Sequence, residues 1–433
     1  MSTRRLHLTA MILAMVTLMV TSLTWSAPVK VVHIMANHGE PYLEFLKDRK
    51  AAFEAKYPEA EIEILAQQVD YTTKVQLMIA GGSQVDVLDS THSFMAFSFH
   101  DALADLMPYV RASNINLDRD MLDFARPVLM KNGQLFGIPG QVYGVVPSYN
   151  RTYFEEMGVT PLRGLPEEEW TWEWLLRNGP RLTKDVDGDG IPETYGIGFP
   201  TSFISLSPAI NQAGGSMFDS YIHPGRALMT SAPVRTGLGF YVSLKERGIG
   251  IPQSTGAYYA RRHTAIAMHS AAPDPDTYRG PGVTDVFEAV VHPKGPVRRG
   301  GQTFFGPFHV PVDSKQQEWA FRWIAFLGLT EESQVRMLEY TGRMPAHPPT
   351  LRRLENYVSG FDAHKRDYLL QVRDACTHAD SYPQTLTQAE GSIARFFNPA
   401  WNNVVNGLTP LESFLETMQP LMQAELDKLF MNQ

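Results

Sequence analysis

Asp185, Asp187 and Asp189 stand on alternate positions ahead of Gly190, and Glu193 follows in the segment DVDGDGIPE. Carboxylates at relative positions 1, 3 and 5 with a glycine at 6 open a calcium loop of the EF-hand kind. Position 12, where such a loop supplies a bidentate Glu, is Gly196, which leaves Glu193 at position 9 as the further acidic donor. A solvated acidic turn is the competing reading. Calcium held here would be structural, and no other cofactor is required. Glu40 and Asp89 each follow an apolar run, and paired carboxylates facing one crevice can hold hydroxyls or do glycosidase work. The thirteen histidines show no His-x-His or i, i+4 pair of the kind that holds zinc. Cys376 is the single cysteine, which excludes an intramolecular disulfide and any Cys-x-x-Cys site. GxSxG, HExxH, P-loop and dinucleotide-binding glycine motifs are absent.

The elements that must position these groups are legible at the start of the chain. Val29–Ile34 is a strand-like run broken by Asn37-His38-Gly39-Glu40. From Tyr42 to Tyr57, Leu43, Leu46, Ala51, Phe53 and Ala55 recur at helical spacing, up to Pro58. Ile62, Ile64 and Ala66 alternate as in a half-buried strand. Tyr71–Ala80 reads as a helix stopped by Gly81-Gly82, and Val85–Leu88 as a strand ending at Asp89. This order predicts an α/β fold with a parallel sheet covered by helices on both faces. Ligands of such sheets bind beyond the carboxyl ends of the strands, here Asn37–Glu40 and Asp89–His92. Further along, Gln134–Pro139 reads as extended, Tyr143–Asn150 as a strand and Arg151–Gly158 as a short helix. Glu168–Asn178, Trp319–Leu329 and Leu411–Leu429 read as longer helices. Trp170, Trp172 and Trp174 are expected to pack in a core, and Cys376 to be a buried small apolar residue.

At 433 residues the chain has room for two or three domains, and 44% apolar with 19% charged residues is ordinary globular composition. The net charge of −8 argues against a nucleic-acid partner. Arg4 and Arg5, an apolar run from Leu8 to Val20 and a small polar stretch to Ala27 have the order of a secretory signal peptide. The run is shorter than the roughly 20 apolar residues of a membrane span. Cleavage after Ser26 is expected, taking the net charge from −8 to −10. With no cysteine nearby for a lipid anchor, a periplasmic protein is expected.

Several segments, in order, resemble the sugar-binding extracellular solute-binding proteins of bacterial ABC importers, the group related to maltose-binding protein. Gly81-Gly82-Ser83-Gln84-Val85-Asp86-Val87 stands where the family has Pro-Asp-Val, with Val85 in place of the proline. FMAFSFHDALADLMPYV, NGQLFGIPGQVYGVVPSYNRTYF, PEEEWTWEWL, TYGIGF, Gly214-Gly215, AIAMHS, WAFRWIAFLGLTEESQ and TGRMPAHPPTL follow in family order. The resemblance implies two hinged α/β lobes with a ligand cleft between them. After a signal at 1–26, it divides the chain into 27–140 plus 307–330 and 141–306 plus 331–433. Hinges are expected near Pro139–Gln141, Phe305–Phe308 and Leu329–Glu331. It also implies a monomer that binds a carbohydrate and passes it to inner-membrane ABC permease subunits, with an acidic or phosphorylated solute as the alternative. A secreted carbohydrate-active enzyme is a further, less favoured reading.

The ligand residues so implied are Asn37, His38, Glu40, Asp89, Gly215, His269, Phe305, Arg343 and Phe397, with Arg343 on the lobe facing Asp89. Where the family commonly carries a Trp that stacks on the sugar, this chain has Asp274. Tyr278, Phe304, Phe305, Phe396 and Phe397 are the aromatic alternatives.

Overall fold

In the computed structural model, residues 27–431 are described except 37, 67–70, 90–101, 223, 254–261, 271–282, 386 and 388. The expected strand–helix alternation opens the chain. β1 (Val29–Met35), β2 (Ala60–Ala66) and β3 (Val87–Asp89) are parallel, with β1 in the middle. β6 (Ile138–Gly144), β12 (Gly301–His309) and the edge strand β13 (Met344–Pro345) join them in the order β13-β6-β12-β3-β1-β2, and β14 (Ser381–Pro383) pairs with β12. A second sheet is built from β7 (Val146–Asn150), β8 (Tyr195–Pro200), β9 (Gly250–Gln253), β10 (Thr264–Ser270) and β11 (Phe287–Ala289), in the order β11-β7-β10-β8-β9. β4 (Met130–Lys131) and β5 (Gln134–Leu135) form a separate hairpin.

The longer helices are α1 (Glu40–Lys56), α2 (Tyr71–Ala80), α3 (Trp172–Leu182), α4 (Ala232–Glu246), α5 (Gln317–Gly328), α6 (Glu331–Thr341), α7 (Ala363–Cys376), α8 (Glu390–Val405) and α9 (Leu411–Met431). α1 and α5 pack on the first sheet, where Phe53 meets Trp323 edge to face at 5.2 Å. α3, α4, α8 and α9 build the core of the second lobe, and the tryptophan trio is buried there as expected. α7 lies across β6, β7, β11 and β12, and its Cys376 is buried, which raises the thiol to about 12.

The chain passes between sheets at places other than the expected hinges. β6 belongs to the first sheet and β7 to the second, so the change falls at Val145. The Val145 N–H donates to the Gln302 carbonyl at 2.9 Å, and its carbonyl accepts from His292 Nε2 at 2.5 Å. Gly144 touches Cys376 so closely that a Cβ would lie 2.7 Å from the sulfur. The second change lies between β11 and β12, and the third between β14 and α8. Pro139–Gln141 and Phe305–Phe308 lie inside β6 and β12, which pair within the first sheet from Ile138–Phe308 to Gly144–Thr303 with a register shift between Phe305 and Pro307, so neither segment is where the chain changes sheets. Leu329–Glu331 merely joins α5 to α6. α6 packs on α1, and β13 pairs with β6, so residues 331–345 sit with the first sheet although they were expected with the second lobe.

Candidate functional site

β1 and β3 run parallel, so Met35 and Asp89 end at one edge of the first sheet, facing the second lobe. Asp89 is only 1% exposed. His38, on the turn after β1, places Nε2 3.3 Å from Asp89 Oδ1. The other carboxylate oxygen, Oδ2, is buried with no hydrogen-bond partner among the described residues. Tyr42, on the first turn of α1, meets the His38 ring edge to face at 4.7 Å. Burial, then the adjacent Asp89 charge and a hydrogen bond to the Asp89 carboxylate, hold the Tyr42 phenol well above its ordinary pKa, and Arg343 pulls the other way.

Arg343 is therefore beside Asp89 and not across the cleft from it. Its guanidinium lies 5.0 Å from the centre of the Tyr42 ring. Nη1 donates to Gln141 Oε1 at 2.9 Å and Nη2 to the His38 carbonyl at 3.3 Å. Gln141 and Tyr143 alternate onto one face of β6. A Cβ at Gly306 would come 2.8 Å from the Gln141 amide nitrogen, so glycine leaves that amide its place. Tyr143 stacks on its cross-strand partner Phe304, with ring centres 5.1 Å apart and planes 19° apart. Burial raises the Tyr143 phenol, again against Arg343. These groups form one continuous patch: an acidic acceptor, an amide, a guanidinium and an aromatic pair.

The layer beneath carries little positive charge. His33 accepts the Trp323 indole N–H at 3.1 Å, and burial lowers its pKa to about 4. His309 Nδ1 lies 2.6 Å from the Phe136 carbonyl, and burial lowers it likewise to about 4. Both are neutral at pH 7.

The remaining sequence-predicted residues fall elsewhere. Glu40 is exposed in the first turn of α1, where a negative charge suits the helix dipole. Among the described residues its carboxylate makes no hydrogen bond to the Asp89 cluster. Gly215 lines a cavity of about 440 Å³ together with Pro127, Tyr221 and Arg298. Phe305 is a core residue packed on Phe124, and Phe397 is fully buried between Phe203 and Phe414. Both were expected as ligand platforms; their positions in strand and helix point them inward instead. Phe396 packs half-buried against the second core. Asn37, Asp274, Tyr278 and the His269 side chain lie outside the described residues.

In the acidic loop, Asp185, Asp187 and Glu193 each bring a carboxylate oxygen within 4.8 Å of the others, all exposed. That all-oxygen donor set fits a calcium ion. Asp189, whose Oδ1 accepts from the Ile191 N–H at 2.7 Å, is not part of that convergent set.

Tyr42, Gln141 and Tyr143 are site residues that the sequence did not single out. The Tyr-rich strand segment around Tyr143 was the one available signal, since residues i and i+2 of a strand share a face.

The profile of bacterial extracellular solute-binding proteins matches residues 48–350. The chain belongs to this family. Solute-binding proteins of ABC importers hold a small molecule in a cleft between two lobes and deliver it to a permease. The fold is similar to that of the sugar-binding protein MalE from Xanthomonas citri, with a TM-score of 0.76 at 17% identity over 92% of this chain and 98% of that one. It is also similar to an ABC substrate-binding protein from Listeria monocytogenes solved with cycloalternan (TM-score 0.71, 18% identity, 93% and 99% covered). A third likeness is to UgpB from Mycobacterium tuberculosis solved with glycerophosphocholine (TM-score 0.70, 17% identity, 94% and 100% covered). No curated protein matches the chain. Among the described residues of this solute-binding protein, no helix is long and apolar enough to cross a membrane.

Proposed function

We propose that this solute-binding protein captures a carbohydrate, a mono- or oligosaccharide, at the Asp89 edge of the first lobe and delivers it to an inner-membrane ABC permease. In this reading the chain is exported by a cleaved signal peptide and works in the periplasm as a monomer without a lipid anchor. The observation that carries it is the Asp89 carboxylate, buried with one oxygen lacking a donor among the described residues, linked through His38, Arg343 and Gln141 to the face of β6 that carries the stacked Tyr143–Phe304 pair. A sugar supplies what both lack: hydroxyl donors and apolar CH faces. The MalE and cycloalternan-bound likenesses support the same substrate class.

The glycerophosphocholine-bound likeness keeps an acidic solute as the second reading. The site argues against it. The buried acceptor repels an anion, and Arg343 is already hydrogen-bonded to protein acceptors. A thermal-shift panel of maltotriose, mannotriose, cycloalternan and glycerophosphocholine tests the proposal. A ligand at a hundred times its dissociation constant stabilises by about 2.7 kcal/mol. Stabilisation by a glycan with no product formed is expected. Stabilisation by glycerophosphocholine alone, or turnover of the glycan, contradicts it.

A further inference from the structure

We infer that Arg343 is a positioning residue: it ties the turn carrying His38 to β6, and so seats His38 on Asp89, rather than clasping solute from the facing lobe. The inference uses the carbohydrate reading only for the identity of the solute. The strand before the site sets the geometry. β13 pairs with β6, Met344 opposite Val142 and Pro345 opposite Gln141, so the register carries Arg343 toward Tyr143, two residues along β6 from Gln141 and on the same face. Its two terminal nitrogens then bridge acceptors 202 and 305 residues away in the chain, Gln141 Oε1 at 2.9 Å and the His38 carbonyl at 3.3 Å. The Tyr42 ring lies 5.0 Å from the guanidinium. Among the described residues Arg343 forms no ion pair.

A planar fork spreads its donors over separate nitrogens, so it reaches acceptors on two segments while lying flat against a ring; an ammonium gathers its three donors on one nitrogen and lacks that reach and that face. The turn after β1 has no strand partner at His38: its N–H donates to the Ala36 carbonyl at 2.8 Å within the turn, the Tyr42 ring packs on the imidazole, and Arg343 adds the one tie from this turn to β6 among the described residues, which we infer holds the imidazole 3.3 Å from Asp89. All five groups ride on the first lobe. The half-site is therefore assembled before any lobe movement, and losing the fork disorders the Asp89 partner without touching Asp89.

The test needs no solute. Full-length protein labelled with ¹⁵N-histidine is examined at pH 8, and the His38 ring signals are assigned by their loss in His38→Gln. The native ring is expected as one tautomer, protonated at Nε2 toward Asp89. Asp89→Asn gives the pattern of a ring without its carboxylate. Arg343→Met and Arg343→Lys are expected to move the His38 signals to that pattern and to speed amide exchange at 38–40 at least tenfold. Arg336→Met, which removes a surface ion-pair residue of α6, is expected to leave both unchanged. A purely structural role would lower the melting temperature without moving the ring signals. Native His38 signals in folded Arg343→Lys or Arg343→Met overturn the inference. Because no sugar is added, failure of the carbohydrate reading leaves this result standing.

Discussion

Replacing Asp89 by Asn keeps the side-chain volume and removes one buried charge. In the free protein the carboxylate is 1% exposed, with His38 at 3.3 Å, the Tyr42 phenol hydrogen-bonded to it, and Oδ2 without a donor among the described residues. A charge buried to this degree carries a desolvation cost that hydrogen bonds from His38 and Tyr42 do not fully offset. The amide in its place carries no charge to desolvate, so the free variant is expected to melt at or above the native temperature. Binding should respond in the opposite direction. A hydrogen bond from solute to a charged acceptor contributes about 1.5–3 kcal/mol, which corresponds to roughly tenfold to a hundredfold in dissociation constant. Asp89→Ala should weaken binding on the same scale. Titration calorimetry with the glycan that stabilises the native protein gives the affinity, and scanning calorimetry of the free variant gives the stability. Weaker binding with unchanged or raised stability is the signature of a site residue held at the expense of the fold. Native affinity in folded Asp89→Asn would refute the assignment of Asp89 to the solute, and a fall in affinity that only follows unfolding would refute the reasoning about its charge.

Phe305→Ala and Phe397→Ala should each destabilise by about 3–5 kcal/mol as core truncations, read as lower urea midpoints, with little change in the affinity of the folded fraction; Phe304→Ala should do the reverse. His33 and His309 titrate near pH 4 in the folded protein against 6.5 for a free side chain, so the unfolded chain binds more protons between these values. Stability is therefore expected to fall as pH drops from 6.5 toward 4 and to be insensitive to these groups above 6.5; calorimetry across that range should show a slope that His33→Gln with His309→Gln flattens, and a flat native profile contradicts it. We propose calcium in the acidic loop, so EDTA should lower the melting temperature of the native protein but not of Asp187→Asn, and equal melts with and without chelator would dismiss the ion.

The opening β1-α1-β2-α2-β3 order was legible because each element carries its own hydrophobic period, and Tyr71–Ala80 was placed with both ends correct. The same period located Asp89 at a strand end, where sheet topology puts ligands. The lobe crossings were not legible. Val145 sits within an apolar stretch that reads as one strand, and its break is imposed by Gln302 and His292, partners about 150 residues away. Phe305 and Phe397 were misassigned because residue type says what a side chain can do and not which way it points. Arg343 was placed at the site but on the wrong side of it, since only the pairing of β13 with β6 shows which lobe carries it. Tyr42 and Gln141 went unnoticed for the same reason: their partners are distant in sequence.

A crystal structure of the protein with its stabilising solute tests the central claim most directly. The expected density is a sugar ring against Tyr143 and Phe304, with a hydroxyl donating to Asp89 Oδ2 and both lobes in contact. Density at another place on the molecule, or an acidic group bound where the hydroxyl should be, would contradict it.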